Sequence, residues 1–480
     1  MSSIDVPQSG RRIFGQGSIL FGGFLTSQVA SFVRNALLGH MLSKGDFGVA
    51  ATITITLQLL EIISDVAVDR MILQAKDGGD ERLINNAHFL LILRGLVIGI
   101  ALWFCAPVIV SFFNVPDALS AFQWLAIVPV IKGFMHLDLR RMQRKLNHAP
   151  FALFEAVPQI LVLSLVVPFL NIFGGYDAVV FLGIVQSLSA VLVSHYMAER
   201  SYGVALDGRY LRRFVAFGWP ILLSALPLIA VYQGDRIIIG RNLGMEALAV
   251  YSAAFMLAMV PGLLTSKVCL SLVMPLLADV KERSGLFLER FQLMGQGVVI
   301  IACAYLLFFS FLGGYALGFA FGGDYSKYGP VLTLLAIMWG LRIIQAAPGT
   351  GLMSLGVTKP LLIAGIVRAS VLLPIVALAG PNMTLEVIAA IGVLGEVLSF
   401  AYMCFAIERV RAGSGVHLLK CAVLYFAFIG GLLIVGAHAC DDEPLWTLIV
   451  QFIVGMGLLA GLAWYFFRPI ADELVGLARG

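Results

Sequence analysis

The chain is a succession of apolar runs, each long enough to cross a lipid bilayer, separated by short polar connections. A membrane-spanning helix needs roughly 20 consecutive, mainly apolar residues, and fourteen runs of this kind can be counted. They are approximately Ile13–Gly39, Gly48–Val68, Ala87–Phe113, Ala118–Leu137, Phe151–Phe173, Ala178–Met197, Phe214–Gly240, Ala249–Leu272, Phe291–Ala320, Val331–Gly351, Pro360–Ala379, Leu385–Ile407, Val416–Ala437 and Leu445–Phe467. Hydrophobic residues fill 60% of the 480 positions and charged residues only 12%, roughly half of the charged share usual in soluble proteins. The sequence therefore predicts an all-α, polytopic membrane protein with about 14 transmembrane helices.

The positions of the lysines and arginines predict the orientation. Most of the 32 lie in the N-terminal tail or in every second connection, whereas the opposite connections hold only Lys44, Arg241 and Lys327. Basic residues accumulate on the cytoplasmic side of membrane proteins. We therefore expect a multi-pass protein of the bacterial inner membrane with both termini in the cytoplasm. The net charge of +4 then reflects topology, and no nucleic-acid partner is expected.

Catalytic and metal-binding signatures are not found in the sequence. The six cysteines and seven histidines are scattered, so neither a disulfide framework nor a metal site is predicted. The stretch Gly351 to Lys359 lacks the Gly-Lys-Ser/Thr ending that cradles nucleotide phosphates. No connection is long enough to carry a catalytic domain. We expect a protein that is not an enzyme, needs no cofactor and moves a substrate across the membrane.

A weak internal repeat indicates two similar halves. Leu42–Val49 aligns with Leu243–Val250, and Leu125–Ile127 aligns with Leu335–Ile337. Both alignments connect runs that are six apart, so the halves share one orientation, and parallel repeats place a substrate path between two lobes. We predict an N-terminal lobe at residues 1–205, a C-terminal lobe at residues 206–410 related to it by pseudo-two-fold symmetry, each of six helices, and an appended helix pair at residues 411–480.

Seven basic residues fall inside the apolar runs. They are Arg34, Arg94, Lys132, Arg236, Lys267, Arg342 and Arg368. A charge at bilayer depth costs about 2.5–3.5 kcal/mol on insertion scales, so such residues pair or face water. Because arginine binds phosphate and carboxylate through its planar fork, we expect these seven to line a cationic cavity that binds an anionic substrate.

Acidic residues at similar depth are candidates for ion or proton coupling. They are Glu61, Asp65, Asp235 and Glu396. In the second run, Thr54, Gln58, Glu61, Asp65 and Asp69 recur at helical spacing and predict a polar stripe on one helix face.

Structural roles remain open for many of these charges. Arg34 and Arg236 lie near helix ends, where long side chains reach the interface. Asp65 and Lys267 could equally form a static ion pair between the lobes.

Several stretches resemble the polysaccharide-exporter branch of the multidrug/oligosaccharidyl-lipid/polysaccharide superfamily, the O-antigen and exopolysaccharide flippases. The resemblance extends over about residues 11–410 and is carried by Arg34 to Val49, Phe217-Gly218-Trp219-Pro220, Asp235 to Gly240, Tyr251 to Ala254, Phe321 to Tyr325 and Leu355 to Lys359.

The resemblance implies two six-helix lobes around a cationic lumen and alternating access. Its implied cargo is an undecaprenyl-pyrophosphate-linked oligosaccharide, with Arg34, Asp65, Arg236 and Lys267 as lumen residues. Membrane lipids, and possible contacts with a polysaccharide polymerase and a chain-length regulator, complete the expected partners.

Four other functions stay open at this point. A multidrug antiporter of the same superfamily would prefer an acidic cavity, which the excess of basic residues disfavours. A lipid II flippase would use similar chemistry. A membrane glycosyltransferase or polymerase would need converging catalytic groups, and a scaffold for polysaccharide assembly would need no cavity.

Overall fold

The computed structural model describes residues 8–65, 67–145, 147–378, 380, 383–435 and 444–479 of the chain. Within these ranges the side chains of residues 8–21, 224, 226, 228, 433–435 and 465–479 fall outside the description.

The described part of the chain is helical and contains no strand, which confirms the all-α prediction. The helices in chain order are α1 (Gln8–Met41), α2 (Lys44–Ile63), α3 (Val68–Gln74), α4 (Glu81–Phe113), α5 (Leu119–Leu125), α6 (Ile127–Gly133), α7 (Asp138–Arg144), α8 (Ala149–Phe173), α9 (Asp177–Tyr196), α10 (Gly208–Asn242), α11 (Met245–Val268), α12 (Met274–Asp279), α13 (Ser284–Phe321), α14 (Gly329–Ser354), α15 (Lys359–Ala369), α16 (Leu372–Ala377), α17 (Leu385–Val410), α18 (Ser414–Val435) and α19 (Leu445–Arg479).

Eleven helical segments of the described chain are long and apolar enough to cross a membrane, or 12 if the bent pair Pro116–Gly133 and Asp138–Arg144 is one span. The two further predicted spans, Ile13–Gly39 and Phe214–Gly240, fall within α1 and α10. Both helices include side chains that the structure does not describe, so the total of fourteen stays a prediction.

The second predicted span, Gly48–Val68, is interrupted near its end. Helix α2 stops at Ile63, and α3 begins only at Val68. Ala67, just before α3, has a left-handed φ of 52°, a conformation that does not continue a right-handed helix. The polar stripe expected on one continuous helix therefore extends over a helix, a break and a second short helix.

Local sequence determines where several helices begin. Ser43 caps α2, since its Oγ accepts a hydrogen bond from Asp46 N at 3.0 Å. Asp80 caps α4 in the same way through Arg82 N at 3.1 Å. Such side chains satisfy the first backbone N–H groups of a helix.

The chain divides into two compact units, one made of Met1–Ile229 with Gly244–Ala249 and the other of Ala230–Leu243 with Val250–Gly480. Helix α10 is shared between them. The predicted lobe boundaries at residues 205 and 410 stay a prediction.

Glycines allow close helix packing in the first unit. A Cβ at Gly95 of α4 would lie 2.4 Å from the carbonyl oxygen of Pro129 in α6. A Cβ at Gly133 of α6 would lie 2.9 Å from the carbonyl oxygen of Leu91 in α4. These approaches leave no room for a side chain, as is common where helices pack in membranes.

Helix α14 forms the core of the second unit, because most of its side chains from Val331 to Leu352 are buried. Tyr425 of α18 packs against Gly340 and donates a hydrogen bond to the carbonyl oxygen of Ile337 at 2.9 Å. The two long helices α13 and α14 thus provide the surface on which α17, α18 and α19 assemble.

Candidate functional site

A polar cavity of about 350 Å³ opens within the first unit. We call it the N-terminal cavity, and its polar lining consists of Ser27, Glu61, Asp65, Asp69, Arg94, Lys132, Glu155, Gln159, Gln186 and Ser187. Four of these side chains are acidic and two are basic. Acidic groups are therefore in excess over basic groups in the lining of this cavity.

The break between α2 and α3 forms part of the cavity wall. Asp65 lies in the break, and its Oδ1 accepts a hydrogen bond from Ala67 N at 2.9 Å. Arg94 of α4 donates from Nη2 to the carbonyl oxygen of Glu61 at 2.6 Å and from Nε to Ser64 Oγ at 3.0 Å. A cation stabilises the carbonyl end of a helix. Arg94 thus supports the end of α2 from inside the cavity.

Lys132 of α6 is paired with an acid in the same cavity. Its Nζ lies 2.7 Å from Glu61 Oε1. About a third of each side chain remains exposed, so the pair borders open space. Two predicted site residues from different classes, one basic and one acidic, are therefore partners.

Arg34 of α1 is held by neutral groups. Its Nη1 donates to Gln186 Oε1 at 2.7 Å and to Gln159 Oε1 at 3.3 Å, and its Nη2 donates to Ser31 Oγ at 3.4 Å. Gln159 and Gln186 themselves line the N-terminal cavity. These partners orient the guanidinium without cancelling its charge.

Three predicted site residues meet in the second unit. Glu396 of α17 is fully buried, and its Oε1 accepts a hydrogen bond from Arg342 Nε at 2.5 Å. Arg368 Nε lies 2.8 Å from the same oxygen. Two guanidinium groups thus share one carboxylate, which leaves an excess of one positive charge among the three.

Gln345 and Ser399 complete this group, which we call the C-terminal cluster (Arg342, Gln345, Arg368, Glu396 and Ser399). Gln345 Nε2 donates to Glu396 Oε2 at 3.0 Å, while its Oε1 accepts from Arg368 Nη2 at 2.8 Å. Ser399 Oγ donates to the same amide oxygen at 3.1 Å. The adjoining cavity measures only about 30 Å³, about the volume of one water molecule.

Asp235 and Arg236 of α10 form a neighbouring polar site in the second unit. Tyr251 donates to Asp235 Oδ2 at 2.5 Å. The Arg236 guanidinium carbon lies 4.2 Å above the ring of Phe255, a cation–π geometry. Arg236 Nε is buried and has no hydrogen-bond partner among the described residues.

The remaining predicted site residue, Lys267, lies in the last turn of α11 and is half-buried. The π-helical turn Cys269–Val273 begins two residues after it. The backbone therefore changes its hydrogen-bonding pattern next to this lysine.

The sequence prediction missed Gln159, Gln186, Gln345 and Ser399, four of the uncharged members of these sites. Gln345 is three residues after Arg342, and Ser399 is three residues after Glu396, so helical spacing next to a buried charge could have identified both. Gln159 is four residues after Glu155. Gln186 offers no such local signal, because only tertiary packing brings it to Arg34.

No group of three or more potential metal ligands occurs within the described residues. The sites therefore offer ion pairs, amides and hydroxyls, a chemistry suited to binding charged or hydroxylated molecules and ions.

Comparisons with known proteins agree with these features. Residues 37–330 match the family model described as "Polysaccharide biosynthesis protein". The teichuronic acid biosynthesis protein TuaB of Bacillus subtilis (strain 168) is 24% identical over 343 residues, or 68% of each chain.

The solved structures that resemble the fold are membrane transporters. A structure of the lipid II flippase MurJ in an inward closed conformation matches with a TM-score of 0.73 and 11% identity, covering 94% of this chain and 99% of that chain. An inward-facing multidrug resistance transporter of the MATE family matches with a TM-score of 0.60 and 14% identity, covering 81% and 96%. At these identities the likeness concerns the fold. The family model, in contrast, matches more than half of the sequence, and the chain therefore belongs to the polysaccharide biosynthesis protein family, with the fold of the multidrug/oligosaccharidyl-lipid/polysaccharide superfamily.

Proposed function

We propose that this protein moves an anionic, lipid-linked oligosaccharide from the cytoplasmic to the outer leaflet of the bacterial inner membrane by alternating access, without catalysing a reaction. Membership of a polysaccharide biosynthesis family and a transporter fold support this function. The undecaprenyl-pyrophosphate carrier remains part of the proposal, because family resemblance implies it.

The N-terminal cavity is the observation that carries the proposed transport of a polar molecule, whereas Arg34 with its neutral partners supports the anionic charge of the cargo. Charged side chains within a transmembrane unit cost several kcal/mol each unless water or a ligand solvates them. Here six ionisable groups face a single cavity of about 350 Å³ between apolar helices. A helical unit that served only as a scaffold would gain stability by filling that space with apolar side chains.

The geometry favours different roles for the two sets of predicted residues. Arg34 keeps an uncancelled charge beside two amides, which suits it to a phosphate of the cargo. The C-terminal cluster binds its cations to Glu396, so we assign Arg342 and Arg368 to holding that unit together in this conformation. Lys267 and Arg236 remain candidates for contact with the head group.

Asp65 and Glu61 are the candidates for coupling transport to an ion or a proton. Asp65 lies at a helix break that lines the cavity, and unwound backbone beside a carboxylate is a recurring arrangement for ion sites in transporters. Protonation or cation binding at Asp65 would change the charge of the cavity wall and bias one conformation over another.

A deletion strain tests the proposed function. Loss of the protein should remove surface polysaccharide and leave lipid-linked repeat units trapped on the cytoplasmic leaflet, detected by their protection from enzymes added outside. Complementation with the wild-type gene should restore both. The variants Arg34→Gln and Asp65→Asn should reach the membrane at normal amounts yet fail to restore polysaccharide.

The matched control is Glu386→Gln, which changes an exposed acid in the first turn of α17. It should complement fully. Normal polysaccharide in the deletion strain would contradict the proposed function. If the deletion instead blocked the supply of lipid II, the protein would be a lipid II flippase. If it changed only drug susceptibility, the protein would be a multidrug transporter.

A further inference from the structure

Three histidines pack around a tyrosine in the segment that joins α9 to α10, residues 197–207. Tyr202 of this segment stacks on His88 of α4, with ring centroids 4.2 Å apart. His136, between α6 and α7, lies 5.1 Å from His88 and 5.1 Å from His195 at the end of α9. Four aromatic rings from four parts of the first unit thus form one cluster.

Both nitrogens of His88 are engaged with the backbone. Nδ1 lies 2.8 Å from the carbonyl oxygen of Gly203, and Nε2 lies 3.1 Å from the amide nitrogen of Leu137. An amide N–H can only donate, so Nε2 must be an unprotonated acceptor and Nδ1 must carry the proton. His88 is therefore neutral in this arrangement.

His136 follows the same logic with the nitrogens exchanged. Its Nδ1 accepts from the amide of Asp138 at 3.1 Å, so its Nε2 donates to the carbonyl oxygen of Arg200 at 3.1 Å. Two neutral histidines thus hold two carbonyl groups of the joining segment.

Backbone amides of the segment are held as well. Asp138 Oδ2 accepts from Glu199 N at 2.9 Å, and Asn86 Oδ1 accepts from Asp207 N at 2.6 Å. A Cβ at Gly203 would lie 2.6 Å from Asn85 Oδ1, so the segment packs against the side chain of Asn85 in α4. Side chains from other parts of the first unit thus hold the backbone of Glu199, Arg200, Gly203 and Asp207.

We propose that His88 and His136, with Tyr202, form an acid-sensitive latch that fixes the joining segment and with it the beginning of α10. Protonation of either histidine converts an acceptor nitrogen into a donor that faces a backbone N–H. That hydrogen bond is lost and a repulsive contact replaces it. The latch is closed while the rings are neutral, and falling pH opens it.

The charged groups around the two rings do not stabilise a protonated histidine. Asp138 is the carboxylate beside His136, and Arg141 already binds it from Nε at 2.5 Å and from Nη2 at 3.0 Å. Arg141 also binds Glu199 at 2.7 Å. The side chain of Arg200 donates from Nη1 to the carbonyl oxygen of Gly79 at 2.9 Å. His195 and Tyr202 are the other titratable groups that face the two rings.

The latch has a consequence for transport because α10 belongs to both compact units. Fixing the first turns of α10 restricts the changes in conformation that this helix can make during a transport cycle. That consequence rests on the proposed function, whereas the latch itself is testable without any cargo.

Hydrogen–deuterium exchange of the full-length protein in lipid nanodiscs tests the latch. The peptide covering residues 197–207 should exchange slowly at about pH 7.5 and, after correction for the intrinsic effect of pH, roughly tenfold faster at about pH 4. Peptides from α13 and α14 should show no such change. The double variant His88→Phe/His136→Phe keeps an aromatic ring at each position but cannot form the hydrogen bonds. Its residues 197–207 should exchange fast at both pH values.

The matched control is His417→Phe, which changes a histidine of α18 in the second unit and should leave the pH response of residues 197–207 intact. If the double variant does not fold, the single variant His136→Phe provides the same test, with faster exchange expected at about pH 7.5. Equal protection of the segment at both pH values in the wild-type protein would overturn the latch. If the wild-type protein shows the expected pH response of exchange but does not transport lipid-linked oligosaccharide, the result counts against the proposed function and not against the latch.

Discussion

Replacing Glu396 by glutamine would test whether charge holds the C-terminal cluster together. The glutamine keeps the size of the side chain but removes the negative charge that Arg342 approaches at 2.5 Å and Arg368 at 2.8 Å. Breaking a buried ion pair from one side costs roughly 3–5 kcal/mol, because the partner charge stays buried. At roughly 2–4 °C per kcal/mol for a unit of this size, the Tm should fall by at least about 6 °C.

Thermal unfolding of the purified protein, followed by circular dichroism in the same detergent, measures this effect. Glu386→Gln is the control, since it removes a carboxylate from the exposed first turn of the same helix and should shift the Tm by less than about 1–2 °C. Adding Arg368→Gln to Glu396→Gln removes one of the two uncompensated cations and should recover part of the loss. A Glu396→Gln protein as stable as the wild type would refute the argument.

Two further predictions concern packing and pH. Gly95→Ala should destabilise the first unit by roughly 1–3 kcal/mol, since its Cβ would meet backbone atoms. Gly297→Ala is the control and should not destabilise the protein, because a Cβ there would have nothing within 4 Å. Chemical unfolding of both variants measures the two free energies of unfolding. The hydrogen bonds from Arg213, at 2.5 and 2.6 Å, hold the pKa of Asp77 below its ordinary value of 3.8. The pair therefore contributes stability above about pH 3.8 that is lost as the pH falls through the lowered pKa. The Tm difference between wild type and Arg213→Gln should shrink in that acidic range, and a difference that grows there would contradict this sign.

The sequence was sufficient to predict the helices because each apolar run is long and the connections are short. It did not predict where those runs break. The end of α2 depends on Ser64, whose hydroxyl bonds to the carbonyl oxygen of Leu60 at 2.6 Å, and on Arg94 from another helix. Helical periodicity alone predicts that the polar stripe continues through Asp65, because periodicity contains no information on contacts with other helices.

The predicted site residues show the same limit. Burial physics correctly indicated that intramembrane charges need compensation, as the pairing of Lys132 with Glu61 illustrates. It could not indicate which partner each one takes. Arg34 lies more than a hundred residues from Gln159 and Gln186 in the chain. Arg342 lies 54 residues from Glu396, and only the packing of α14 against α17 brings the two together. The role of each predicted residue in transport stays a prediction.

The most direct test of the central proposal is transport by the purified protein. It would be reconstituted into vesicles with a fluorescent undecaprenyl-pyrophosphate-linked oligosaccharide in both leaflets, and a reagent added outside would quench only the accessible molecules. Wild-type vesicles should lose nearly all fluorescence with time, whereas Asp65→Asn vesicles should retain the inner half, as protein-free vesicles do. If wild-type and protein-free vesicles retained the same fraction under every imposed ion and proton gradient, lipid-linked oligosaccharide would not be the cargo.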